Sequence, residues 1–262
     1  MKDPTIYNVR VIERAMQILS CFDDERPERG VSEIADIVGL HKATVHRIVV
    51  TLLNGGYLER TVDGEKYRLG LRLAELGLGV VRRLDFRREA IPYMHALSER
   101  FGESCDLSIF TRGESLYVEV VQSRHALRIT ARPGQRLPSY CTANGKVFLA
   151  FLRPDELKPI LNSPMKAYTS KTVTSPEKLA EQLQVIRAQG YAVDDEEFED
   201  GVRAIGAPLR DSGGNVIAVL GMPGPASRID GQRIPEIAEA LIEAANSVSA
   251  YMGWPNHRFR SA

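Results

Sequence analysis

The stretch "GLHKATVHRIVVTLLNGGYL", Gly39 to Leu58, holds Lys42, Arg47, His41 and His46 but no Asp or Glu. The whole chain carries 34 basic and 34 acidic residues, so this exclusion of acids is local. A segment that keeps its cations and drops its anions suits contact with a polyanion, because a carboxylate there would oppose phosphates at short range. The run "DDEEFED", Asp194 to Asp200, invites a metal. No register of it supplies the D-x-[DN]-x-[DN]-G spacing of a calcium loop, so a solvated turn with one or two functional carboxylates is expected. Cys141 sits beside a predicted helix N-terminus, which can lower a thiol pKa. A nucleophilic role would need a positioned base, and His125 is the only candidate near it in sequence; a buried or bystander thiol is the better reading. The chain has no GxSxG, HExxH or GxxxxGK[ST], and "GLGVV" at Gly77 lacks the third glycine of a dinucleotide loop. His41 and His46 are expected to be polar surface groups, since a metal site there would lack further ligands. Three cysteines, Cys21, Cys105 and Cys141, lie far apart without a CxxC pair, against a disulfide framework or zinc finger. No catalytic residue, metal or cofactor is expected.

The acid-free stretch must be positioned by helices. Val11, Ala15, Ile18, Leu19 and Phe22 recur at helical spacing, giving a first amphipathic helix. "VSEIADIVGL" reads as a second, with Ser32 as N-cap, Glu33 in the first turn and Gly39 as the break. "KATVHRIVVTLLNGG" is a third, its Val45, Ile48, Val49 and Leu52 at i, i+3, i+4 and i+7, closed by Gly55 and Gly56. Small Ala35 allows close approach, and Val45 with Ile48 seats the third helix on the second: a helix-turn-helix. Lys42, Thr44, His46, Arg47 and Thr51 are then left to face a DNA major groove. "GYLERTVDGEKYRLG" alternates about Asp63-Gly64, a two-residue hairpin signal, with Tyr67 and Leu69 on one side and Lys66 and Arg68 on the other. A hairpin there makes a winged helix-turn-helix, whose basic wing can clamp the flanking backbone.

A connector follows, "LGLRLAELGLGVVRRLDFRREAIPYMHALSERFG". Leu73, Leu76, Val80 and Leu84 give it an apolar face, which a second copy or its own chain could cover; Pro92 is placed in the first turn of a further helix ending near Phe101. From Ser104 the pattern is strand-like in "CDLSIF", "SLYVEVV" and "LRITA", with a hairpin at Arg112-Gly113. "CTANGKVFLAFL" leads into a helix, "SPEKLAEQLQVIRAQG" is a helix opened by Ser175 and Pro176 and stopped by Gly190, and "SGGN" turns between two strands. "IPEIAEALIEAANSVSAYMGW" closes the chain with a helix. Strands and helices in this order imply an α+β sheet. The 262 residues allow one large domain or two ordinary ones, and 44% hydrophobic with 26% charged residues is globular composition. No apolar run approaches the roughly 20 residues of a membrane span. The N-terminal stretch lacks a signal-peptide core, so a cytoplasmic location is the expectation.

These residues resemble the IclR family of bacterial transcriptional regulators over essentially the whole chain. The N-terminal resemblance lies in "VSEIADIVGLHKATVHRIVVTL" and "YRLG", the C-terminal one in "TANGK" and "GYAVDDEEFEDGVRAIGAPLRD". The latter follows the family signature at Gly190, Asp194, Glu197, Ala204, Ile205, Gly206, Leu209 and Asp211, and departs from it at Arg210, where an aromatic or His is usual. The resemblance implies an α+β protein: a winged helix-turn-helix domain at 1–70, a helical linker at 71–85 and a GAF-like effector-binding and oligomerisation domain at 86–262. It implies a homodimer or dimer of dimers on a double-stranded DNA operator, with a small organic acid in the second domain altering affinity. Ala143 and Asn144 match positions whose backbone N–H groups can hold an anion, as helix-start amides do; Gly145 adjoins them. Asp194 matches a polar pocket position and Ala204 one that is often Cys. Where members sensing small keto acids have two serines in the last strand, this chain has Gly221 and Pro223. That implies a roomier pocket for an aromatic or sugar-derived acid, with Tyr117, Tyr140 and Cys141 as candidate lining. The rival reading is a hydrolase-like enzyme acting on a small carboxylate, with the winged domain as accessory; a protein-docking adaptor is a third.

Overall fold

The structure, a computed structural model, describes residues 9–23, 25–81 and 85–255. The chain divides into two compact units, Met1–Arg83 and Leu84–Ala262.

In the first unit, α1 (Arg10–Leu19), α2 (Val31–Val38) and α3 (Lys42–Asn54) precede a two-stranded sheet of β1 (Leu58–Arg60) and β2 (Tyr67–Leu69), and α4 (Leu71–Val81) follows. Ile18, Ile34, Ala35, Val45, Ile48 and Val49 close on one another as the core, and Leu58 and Tyr67 extend it under the hairpin. Gly39 takes φ 65° at the end of α2, a left-handed conformation that lets the chain turn sharply into α3. The α2 cap differs from the expected Ser32: the helix starts at Val31, and Glu33 reaches back to accept the Gly30 N–H at 2.7 Å. Val11 is also a correction. It stays 61% exposed, because it lies on the α1 side of an open groove against Thr44 and Arg47 of α3 rather than over the core. The wing is wider than a two-residue turn. The Asp63 carboxylate accepts from Thr61 Oγ1 at 2.5 Å and from the Glu65 N–H at 3.1 Å, which holds residues 61–66 as a longer loop. Tyr67 is buried while Leu69, two positions on, is exposed.

The second unit opens with α5 (Asp85–Phe101) and continues through β3 (Cys105–Thr111), β4 (Glu114–Val121), β5 (Arg136–Pro138), α6 (Ala143–Phe151), α7 (Pro154–Leu161), α8 (Pro176–Gln189), β6 (Ala192–Asp195), β7 (Val202–Arg210), β8 (Val216–Pro225) and α9 (Arg233–Tyr251). Pro92 lies inside α5 instead of in its first turn. Burial on both sides of the proline, Phe86 and Ala90 before it and Met94 and Leu97 after it, outweighs the lost backbone hydrogen bond. Leu84 and the Val80 side chain fall outside the described residues. "LRITA" is irregular: the edge position beside β4 is taken by β5. The resulting six-stranded antiparallel sheet has the order β5-β4-β3-β8-β7-β6. Its two faces alternate by residue. Leu220 joins α5 and α9 on one side, while its neighbour Val219 joins Phe148 of α6 and Leu183 of α8 on the other.

Candidate functional site

Two surfaces carry chemistry, one in each unit. On α3, Lys42, His46, Arg47 and Thr51 are exposed and Thr44 is half-buried, while Val45, Ile48 and Val49 are buried. The helix period therefore separates a core stripe from a polar face without one carboxylate. Lys42, His46 and Arg47 make no side-chain hydrogen bond or ion pair among the described residues, so their donors are available. Thr51 Oγ1 donates to the Arg47 carbonyl at 2.9 Å. His41 caps α3, its Nδ1 accepting the Ala43 N–H at 3.3 Å. On the wing Lys66 and Arg68 are exposed, and Arg68 forms an ion pair with Glu59 at 3.3 Å.

In the second unit the N-terminus of α6 ends over the sheet. Thr142 is its N-cap: Oγ1 accepts the Gly145 N–H at 3.3 Å, which leaves the first two amides, Ala143 and Asn144, without an intrahelical partner. Gly145 is there for close approach, since a Cβ on it would lie 2.2 Å from Ser139 Cα. Beneath the helix end, register aligns two rows of residues on the same sheet face. Asp194, Ala204 and Pro223 form one; Gly206, Gly221 and Asp106 form the other. A cavity of about 100 Å³ opens here, lined by Asp106, Tyr117, Ala143, Asn144, Asp194, Ala204 and Pro223 among others.

Asp106 and Asp194 are both buried, and burial pushes each carboxyl up to about 7. Asn144 Nδ2 donates to Asp106 Oδ1 at 2.8 Å and to Ser108 Oγ at 3.0 Å. Asp194 Oδ1 accepts the Glu197 N–H at 2.8 Å. Tyr117, also buried, is raised well above the usual phenol range by burial, then by Asp106 and Asp194. Lys146, one turn into α6, is fully buried in an ion pair with Glu197, so it adds no free cation to the cavity.

Several expected site residues stand elsewhere. Tyr140 faces a different surface depression, with its hydroxyl donating to the Lys166 carbonyl at 2.8 Å. Cys141 is buried beside the cavity, and burial, then Asp194 and Glu197, pushes its thiol up to about 12. That is the reverse of a helix-activated nucleophile, and His125 lines a separate groove with His95. Gly221 leaves no extra room: a Cβ on it would meet Asn144 Oδ1 and Asp106 Oδ1, each at 2.4 Å. In the acidic run Asp195, Glu199 and Asp200 are exposed, while Asp194 and Glu197 are buried. Asp106 and Lys146 escaped sequence reasoning. Lys146 stood in "TANGK" and its partner in the acidic run, but nothing local joins positions so far apart. Among the described residues no group of three or more His, Cys, Asp or Glu could hold a metal, and no helix is long and apolar enough to cross a membrane.

Both regions of the chain match known families. The profile of the IclR helix-turn-helix domain matches residues 11–61, and that of the bacterial transcriptional regulator IclR C-terminal region matches residues 78–250. The chain is 36% identical over 248 residues to the HTH-type transcriptional regulator XynR of Escherichia coli (strain K12), covering 94% of this chain and 98% of that protein. It is 36% identical over 253 residues to the HTH-type transcriptional regulator KdgR of the same organism, covering 96% of each. Among solved structures, an IclR homolog from Microbacterium hydrocarbonoxydans complexed with 4-hydroxybenzoate is 30% identical, with a TM-score of 0.83 over 92% of this chain and 98% of that one.

Proposed function

The chain belongs to the IclR family of bacterial transcriptional regulators, and we propose that it binds an operator through α3 and the wing, under control of a small organic acid held at the N-terminus of α6. Membership makes it a DNA-binding regulator with an effector domain, not an enzyme. The operator contact rests on one observation: the exposed face of α3 carries Lys42, His46 and Arg47 with no side-chain partner among the described residues and no acid among them. One helix fills a major groove, its N-terminal residues reaching base edges while cations reach phosphates. A clamp on the flanking backbone by Lys66 and Arg68 is supported by their exposure on the wing. The exposed leucines of α4, Leu71, Leu76 and Leu78, suit a homodimer, which would present two wings to a two-fold operator.

The effector reading rests on the free Ala143 and Asn144 amides at the cavity. A relative holds an aromatic acid, 4-hydroxybenzoate, and an aromatic or sugar-derived acid suits these amides equally. Coupling requires only that the acid bind the DNA-competent and DNA-incompetent arrangements unequally; a difference of about 1–3 kcal/mol changes operator affinity about 5- to 150-fold. The test is fluorescence anisotropy with a duplex selected by the purified protein from a random pool. Arg47→Ala is expected to weaken binding by about 1–3 kcal/mol with unchanged folding. Wild-type affinity in that variant would remove Arg47 from the interface.

A further inference from the structure

The two serines expected of keto-acid sensors are replaced by Gly221 and Pro223, and the vacated volume is not empty. β3 and β8 pair Asp106 with Gly221, and any side chain at 221 would overlap the Asp106 and Asn144 oxygens. Asp106 and a side chain at 221 thus compete for one space, and here the Asp106 carboxyl occupies it.

We propose that Asp106 is a specificity-determining residue of the cavity, which with Asp194 and Tyr117 selects a small carboxylic acid bearing hydroxyl groups over keto or unsubstituted acids. This rests on the reading of the cavity as the effector site. Asp106 is 3% exposed and lines the cavity, and its only side-chain hydrogen bond among the described residues is to Asn144. Tyr117 is 5% exposed, lines the same cavity, and its hydroxyl has no hydrogen-bond partner among the described residues. Asp194 lines the opposite row. Among the described residues no Lys, Arg or His lines the cavity, and Lys146 is committed to Glu197. The α6 amides therefore serve one carboxylate, and the remaining polar atoms of the ligand meet the Asp106 and Asp194 carboxyl groups and the Tyr117 phenol, with Thr130, Gln135 and Glu199 also on the wall. Hydroxyls donate to carboxylates; a keto oxygen only accepts, and set against an ionised carboxylate it is repelled. Burial holds both carboxyls up to about 7, so at pH 8.5 the ionised pair is read.

Isothermal titration calorimetry of the full chain at pH 8.5 tests this with matched sets: glycolate, glycerate, threonate and gluconate, the unsubstituted acids of the same lengths, and glyoxylate, pyruvate and 2-oxobutyrate. The best hydroxylated acid should bind about tenfold or more tighter than its unsubstituted and keto counterparts, the scale of one hydrogen bond to a charged group. Asp106→Asn keeps the size and the Asn144 contact but turns a donor to the cavity. It should erase that preference and shift it towards the keto acids; Asp106→Ser, smaller and neutral, should also erase it. Operator anisotropy on the same samples shows that each variant remains folded. A wild-type preference for keto or unsubstituted acids overturns the proposal, as does a hydroxyl preference surviving in both variants. Binding of none of these acids also overturns the proposal, and if 4-hydroxybenzoate titrated beside them does not bind either, the effector reading beneath it falls as well.

Discussion

Lys146 is among the largest fully buried side chains of the protein, and its ammonium meets the Glu197 carboxylate, itself buried. Desolvating two charges costs several kcal/mol per ion, which their mutual attraction offsets only while both are present. Glu197 Oε2 has no hydrogen-bond partner among the described residues, so the carboxylate depends on Lys146. Lys146→Met should therefore destabilise the C-terminal unit by about 3–5 kcal/mol. Lys146→Met with Glu197→Gln should recover much of that loss. Urea unfolding of the single and double variants checks both; a double variant no better than the single would show that the pair is not coupled as described. The Cys141 thiol obeys the same logic without a compensating partner. A thiol pushed up to about 12 stays protonated and inert at neutral pH.

At the scale of elements, strand register decides what the cavity can hold. Gly221 of β8 lies against Asp106 of β3 and under Asn144, where one added methylene has nowhere to go. Gly221→Ser should cost about 1–3 kcal/mol through overpacking, and Asp106→Ala should relieve the part due to Asp106 in the double variant, leaving the Asn144 contact. Thermal denaturation of the three proteins measures this; an unperturbed Gly221→Ser would mean that Asp106 does not fill the space. Most elements were legible in the sequence because their signals are local. Periodicity marked α2, α3 and α9, Ser175 and Gly190 bounded α8, and Arg112 and Gly113, both at positive φ, formed the expected turn. Errors arose where a distant contact overrode the local signal. Pro92 reads from sequence as a first-turn residue because the burial of Phe86 and Ala90 before it is a tertiary fact. "LRITA" has strand composition, but the edge of β4 is paired by β5 instead, at Glu114–Leu116. The α6 amides and Asp194 were legible from "TANGK" and the acidic run. Asp106 was not, because "CDLSIF" alone reads as an ordinary strand whose Asp could face either way. Only pairing with β8 shows that it faces the cavity.

At the scale of the whole molecule, 34 basic residues balance 34 acidic ones, so no general attraction draws this chain to DNA. Affinity must come from a local face, and that face leaves a thermodynamic signature. Each phosphate neutralised by a lysine or arginine releases counterions, and the plot of log affinity against log salt steepens by about 0.9 per contact. The most direct measurement is that slope, from anisotropy titrations of wild type and Lys42→Ala/Arg47→Ala on one selected duplex. The double variant should bind more weakly and show a slope shallower by about 2. A folded double variant with the wild-type affinity and slope would mean that DNA is held by some other surface.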